Sequence, residues 1–416
     1  MHIADIPLIF LVAAAIPILV ERSLDRQTFS TNLRHKIILG GWIWLAYAVC
    51  HEMISGTLFG IWTTDEIVHN MRAGDVMKLI DQGKWDEVRA FAEPGTNAWQ
   101  LYLALLYSFT GVSNTGSTII NMFFAFWGGL ILVREFVKIL PSVPPRTWPL
   151  VVVFFPSVIY WCTWNLKEGF MYWAVCLVIS GVGVKKPTLG DILRVGTGVM
   201  VGCLLRPHMI IGWFLAVIGV NLLRRGRGPL ALLSMIVLPL AVTAISSVAK
   251  IETPSVENAL DRAYGQAKIL SERSGGSTIH YEEGRPILFV SGFESLFFRP
   301  YPWRVRHLGL LLSCLETWSM TLLMFWVWLS MSPRKWGHFL KMPHVKLALL
   351  ACVYFSLFFT FLANEGLLAR QRVLAVPALL ILSMIPILYI RAAKTVEQRL
   401  RMRPALRSAA YRNATR

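Results

Sequence analysis

The sequence predicts an all-α fold, a polytopic integral membrane helix bundle, and three observations carry that expectation. Of the 416 residues, 55% are hydrophobic and only 16% are charged. The apolar residues fall into long blocks, where a soluble core would show short periodic stripes. The basic residues collect on alternate connections between those blocks, which is the pattern of a membrane topology.

A spanning helix needs about 20 mainly apolar residues. Candidate spans cover residues 6–20, 37–60, 116–136, 148–165, 168–184, 188–205, 209–223, 229–249, 307–331, 346–364 and 373–390, which makes about eleven. Residues 6–20 follow a leader, Met1 to Asp5, with no basic residue, so a cleaved secretory signal is not expected. Residues 37–60 end just before the adjacent acids of "IWTTDEIVHN". The stretch Ala98 to Val112 is short and carries Gln100, Ser108 and Gly111, so it is expected to lie at the interface or to re-enter.

Two long connections remain, 61–115 and 250–306. In the first, Val76, Ile80, Val88 and Phe91 suit one or two helices lying on the membrane surface, ended by Pro94 and Gly95. The second is polar in "SERSGGSTIHYEEG" and aromatic in "FFRPYPW" before it re-enters. The expected organisation is a catalytic membrane region over 1–249, an outer loop over 250–306, C-terminal membrane helices over 307–390 and a basic tail over 391–416.

The net charge of +17 raises the question of nucleic-acid binding, and the placement of the charge answers it. If the chain starts outside, the inward segments hold 25 of the 41 Lys and Arg against five acids, Glu21, Asp25, Glu135, Asp191 and Glu397. Nearly all the excess therefore sits on one side, the ordinary condition of a basic cytoplasmic face. No nucleic-acid partner is expected. The C-terminus is assigned to the cytoplasm and the long loops to the exterior of a bacterial plasma membrane. All six cysteines lie inside predicted spans, so neither a disulfide framework nor a zinc spacing is present.

That sidedness brings the outward polar groups to one rim. Asp65 and Glu66 follow the second span, Lys167 and Glu168 occupy the next outer turn, and Arg206 with His208 the one after. The long loop adds Arg299 and Arg304, and "NEGLLARQR" adds Glu365, Arg370 and Arg372. A single juxtamembrane charge is ordinarily an interfacial anchor. Asp65 fits that description poorly, because a short carboxylate cannot snorkel as Lys does and it has a second acid beside it. Glu168 also suits the N-terminal dipole of a helix, and Arg206 suits either an anion site or a structural pair. His51, Glu52 and Glu316 fall within predicted spans, where ionisable groups usually face the bundle interior. No phosphate loop, HExxH, paired CxxC or nucleophile elbow is present.

The segments "TTDEIVHNMRAGD", "WQLYLALLYSFTG" and "FPSVIYWCTWNLKEGF", in this order and on one side, resemble the glycosyltransferase C superfamily over about the first half of the chain. That family contains protein O-mannosyltransferases and lipid A aminoarabinose transferases, which use polyprenyl-phosphate-linked sugars. Later segments, "CLLRPHM", "FFRPYPW" and "ARQRVLAVPALL", look like bacterial membrane proteins of polysaccharide assembly. The resemblance implies an outer-face glycosyltransferase in which Asp65 is the catalytic base, with Glu66 as a second catalytic acid. The family's acid usually follows the first span and here follows the second, which makes residues 6–20 an extra N-terminal element.

The expected chemistry is an inverting transfer from a polyprenyl-phosphate-linked sugar donor to a glycan, lipid or protein acceptor. A carboxylate takes the proton of the attacking hydroxyl, and fixed cations stabilise the charge that develops on the leaving phosphate. Lys167, Glu168, Arg206, His208, Arg299, Arg370 and Arg372 are the candidate substrate-binding residues. Asp65, Glu66 and Glu168 are the candidate ligands of a hard Mg or Mn ion, if one is used. Two alternatives stand beside this reading. A polysaccharide polymerase or ligase using a diphosphate-linked oligosaccharide would rely on the arginines of "LLARQR" and the large loop. A lipid flippase or transporter would line its path with His51, Glu52 and Glu316.

Overall fold

The computed structural model describes residues 5–54, 64–182, 188–224, 289–305, 308–360, 362 and 365–391. The expected span at 229–249, most of the loop 250–306, nearly all of the tail 391–416 and the side chain of Glu52 lie outside the described residues. Every regular element among the described residues is helical.

Helices α1 (Asp5–Ser23) and α2 (Thr31–Val49) form an antiparallel pair, and the short α3 (His51–Ile54) follows. Helices α4 (Thr64–Asp81), α5 (Trp85–Arg89) and α6 (Thr96–Thr110) form the segment expected to be the first outer connection, with α4 and α6 packed together. The centre is α7 (Asn114–Ile139), followed by α8 (Trp148–Val153), α9 (Pro156–Cys162), α10 (Glu168–Ile179), α11 (Leu189–Leu205) and α12 (Pro207–Arg224). After the undescribed stretch come α13 (Val290–Phe297), α14 (Leu308–Leu329), α15 (Pro333–Lys341), α16 (Pro343–Phe359), α17 (Glu365–Arg372) and α18 (Val376–Arg391).

Among the described residues, α1, α7 and α14 are long and apolar enough to cross a membrane. The number rises to five if each of two bent pairs, α15 with α16 at 88° and α17 with α18 at 57°, counts as one span. The expected span at 148–165 is broken in two. Pro156 has no N–H to give and holds Phe155 extended (φ −66°, ψ 127°), so α8 stops and α9 starts with proline in its first turn. Residues 98–112 form most of one continuous helix, α6.

The core is built where small residues let helix backbones approach. On α7, a Cβ added to Gly128 would meet the Trp173 backbone at 3.1 Å, and one added to Gly129 would meet the Val153 backbone at 3.1 Å. These two adjacent glycines thus seat α10 on one side of α7 and α8 on the other. Helix α10 is buried along its whole length. Helices α1 and α2 cover a further face of α7, with Gly41 closed over by Ile16 and Phe126. In the second half, a Cβ at Gly292 would fall 1.6 Å from the Ser356 carbonyl, so α13 rests directly on the α16 backbone.

Candidate functional site

The turn between α9 and α10, residues 163–167, is shaped by a side chain from α7. Asn121 is fully buried, its Nδ2 donates to the carbonyls of Trp164 (2.7 Å) and Leu166, and its Oδ1 accepts the Phe170 N–H at 3.2 Å. Gly169 makes this contact sterically possible, since a Cβ there would lie 2.2 Å from the Asn121 carbonyl. The turn therefore holds Lys167 and Glu168 at a fixed place on the rim.

Glu66, in the first turn of α4, fastens that helix to the same turn. Its Oε1 accepts the Asn165 backbone N–H at 2.6 Å and the Asn114 Nδ2 at 3.4 Å. Around it, Asn165 Nδ2 donates to Asn70 Oδ1 at 2.6 Å, and the Tyr107 hydroxyl donates to the same oxygen. These neutral groups join α4, α6, α7 and the 163–167 turn. His51 stacks edge-on to Trp164 with ring centroids 4.4 Å apart, on the other side of the turn.

Four charged side chains from four remote segments meet above this layer. Arg370 of α17 donates from Nη1 to Asp65 Oδ2 at 2.6 Å, and its Nε stands 2.9 Å from Glu168 Oε1. Arg206, at the end of α11, donates from Nη2 to the same Glu168 oxygen at 2.5 Å. Glu168 is wholly buried and Arg206 nearly so, whereas the Asp65 side chain is 55% exposed. Lys167 is buried beside them and its ammonium reaches only Thr96 Oγ1 (3.3 Å) and the Leu205 carbonyl (3.4 Å). Among the described residues no carboxylate pairs with it.

The backbone supports this corner as well. Gly95 adopts φ +113°, a conformation that excludes a side chain at little cost only for glycine, and its N–H donates to the Leu204 carbonyl at 2.7 Å. The start of α6 is thereby tied to the end of α11, where Arg206 projects.

The cluster sets its own protonation states. Burial pushes the Asp65 carboxyl up, but the charge of Arg370 and its hydrogen bond outweigh that and leave it below the ordinary carboxylate value. Burial, followed by the positive charge of Arg206, pulls Lys167 down to about 8. His69 lies one turn after Asp65 on α4, is buried, and has an Nδ1 with no hydrogen-bond partner among the described residues. Burial and then the Lys167 charge bring it down to about 4, so its imidazole is neutral at pH 7.

No family model, no characterised relative and no solved structure matches the chain. Function has to be argued from this geometry.

Of the residues singled out in the sequence, Asp65, Lys167, Glu168, Arg206 and Arg370 come together. Glu66 holds the adjoining turn, and the remaining candidates make their hydrogen bonds and ion pairs with other groups. His208 stacks on Phe358 (ring centroids 5.2 Å apart) and its carbonyl accepts the Tyr354 hydroxyl. Arg299 pairs with Glu294 at 3.1 Å and lies over the Tyr301 ring. Arg372 turns the other way from Arg370, to Thr317 Oγ1 (2.5 Å) and to the carbonyls of Ser295 (2.7 Å) and Arg299. Glu316 accepts the Ser157 N–H at 2.6 Å and so caps the start of α9 from a neighbouring helix. Among the described residues no three His, Cys, Asp or Glu side chains are grouped as metal ligands.

Three contributors are not apparent from charge alone. His69 was within reach, because positions four apart share one helix face and His69 follows Asp65 at that spacing. Asn121 and Asn165 are neutral residues in apolar or turn sequence, and no local pattern marks them.

Proposed function

We propose that the chain is an outer-face membrane glycosyltransferase that moves a sugar from a polyprenyl-phosphate carrier to an acceptor hydroxyl with inversion. The reading includes a polytopic bundle of about eleven spans, to which the shorter apolar helices 148–162, 168–179 and 207–220 would contribute beside the longer ones. The observation that carries it is the position of Asp65, a half-exposed carboxylate kept ionised at the edge of a buried cationic group.

Asp65 takes the proton of the acceptor hydroxyl as that oxygen bonds to the anomeric carbon. The bond from the anomeric carbon to the phosphate oxygen breaks on the opposite side, and its electron pair leaves with the polyprenyl phosphate. Lys167 lacks a carboxylate partner, and Arg206 Nη1 has no acceptor among the described residues. Both can therefore meet the charge that develops on the departing phosphate. Arg370 and Glu168 hold this arrangement in register. Glu66 braces α4 against the 163–167 turn, a positioning role. A divalent ion at Asp65 and Glu168 would have to displace the Arg370 guanidinium lying between them.

Two observations weigh on the alternatives. A polymerase or ligase would draw on both arginines of "LLARQR", and both terminal amino groups of Arg372, Nη1 and Nη2, are already used on a hydroxyl and backbone carbonyls. A transport path through Glu316 meets a carboxylate committed to the Ser157 amide. The deciding experiment is transfer from the native sugar-lipid pool in membranes carrying Asp65→Asn. Loss of transfer with normal protein levels is expected, and full transfer rejects Asp65 as the base.

A further inference from the structure

Helices α10 and α11, which bring Glu168 and Arg206 to the charged cluster, enclose with α7 a cavity of ≈ 330 Å³ toward their other ends. Its wall changes character along its length. Toward the middle of the helices it is apolar, with Trp127, Ile131, Trp173 and Leu177, and the two indoles lie 5.1 Å apart. Toward the ends of the helices it is basic, with Arg134 and Arg194. From Trp127 to Arg134 is seven residues of one helix, about 10 Å.

The charge at the mouth is not balanced. Asp191 faces Arg194 at 3.4 Å. Glu135 also lines the cavity, but it is held by Lys138 at 2.7 Å and stands 3.8 Å from His344 Nε2. Arg134 is exposed and makes no ion pair among the described residues. Deeper in, Trp173 is buried to 7% exposure and its indole N–H has no acceptor among the described residues. A buried donor without a partner is destabilising, and an oxygen-bearing occupant would relieve it.

We propose that this cavity is a binding site for a phospholipid with an anionic headgroup. One acyl chain lies against Trp127, Ile131, Trp173 and Leu177, an ester oxygen accepts from Trp173 Nε1, and the phosphate sits between Arg134 and Arg194. The proposal rests on the helices standing in a membrane and does not depend on the transferase reading. Arg194 lies eleven residues before the end of α11 at Leu205, and Arg206 follows that end, which separates the lipid headgroup from the carboxylate cluster by about 16 Å.

The test uses the purified full-length chain, delipidated in detergent and titrated under native mass spectrometry with phosphatidylglycerol, phosphatidylcholine or inorganic phosphate. Phosphatidylglycerol is expected to be retained about tenfold more tightly than phosphatidylcholine, with the preference lost in the Arg134→Gln, Arg194→Gln double variant. Thr197→Trp, which fills the cavity and leaves both arginines in place, is expected to lower retention of phosphatidylglycerol by a similar factor. Both arginines lie outside the core, so the double variant keeps its fold. Equal retention of the two lipids overturns the proposal, as does retention unchanged in both variants. Displacement of phosphatidylglycerol by inorganic phosphate at matched concentration would reduce the site to a simple anion contact and overturn it too.

Discussion

Arg370 and Asp65 stand 305 positions apart in the chain and 2.6 Å apart in space. The contact joins α4 to α17, and it holds a half-exposed acid in its charged form. If Asp65 is the base, Asp65→Asn abolishes sugar transfer. The pair is more than half exposed on the acid side, so its loss changes stability by less than about 1 kcal/mol. Transfer assayed alongside thermal unfolding separates the two effects.

Glu168 has the opposite profile. It is buried against two guanidinium groups, and Glu168→Gln leaves Arg206 without a full counter-charge, a change that costs about 3–5 kcal/mol when a buried pair is broken. Combining it with Arg206→Met should return part of that loss, since the isolated buried cation is then gone. Unfolding midpoints of the single and double variants in detergent provide the comparison.

The pH dependence follows from Lys167. Its folded pKa of about 8 lies below the ordinary 10.5. Between those values the unfolded chain holds the proton and the folded chain does not, so this group makes stability rise with pH across that window. Binding of an anionic donor runs the other way, because the ammonium is lost as pH rises through about 8. Apparent donor affinity is expected to fall on that alkaline limb, and Lys167→Met should remove the limb while weakening binding at neutral pH.

Glu66 provides a control on the acid assignment. As a brace it needs an acceptor oxygen, not a charge, so Glu66→Gln is expected to retain most transfer activity. Glu66→Ala strands the Asn165 N–H and should destabilise the chain by about 1–3 kcal/mol. A Gln variant that folds normally but has lost all transfer would move the base to Glu66.

Asn121→Leu tests the turn itself. It removes the groups that satisfy the Trp164 and Leu166 carbonyls and the Phe170 N–H. Each stranded group costs about 1–3 kcal/mol, and Lys167 loses its fixed position with the turn. A weaker donor affinity together with a lower unfolding midpoint is the expected result.

How much of this was legible in the sequence depends on the kind of interaction. Continuous apolar runs announce α1, α7 and α14, because composition and length suffice to identify such helices. The break at Pro156 was equally present in the sequence, but a run of apolar residues on both sides obscured it. Sidedness brought Asp65, Glu168, Arg206 and Arg370 to one rim. It could not separate Arg370 from Arg372, since that depends on helix geometry. Residues two apart on a helix point about 200° from each other, so only one of them reaches the cluster. The roles of Asn121 and Asn165 depend on backbone groups of distant turns, and a linear reading has no access to those pairings.

The guanidinium of Arg370 occupies Oδ2 of the half-exposed Asp65 and leaves Oδ1 without a hydrogen-bond partner among the described residues. If Asp65 is the base, an incoming hydroxyl finds one oxygen available and the other already anchored. The acid would then receive a proton without swinging away from its seat, and the direction from which a nucleophile must arrive would be decided before anything had bound.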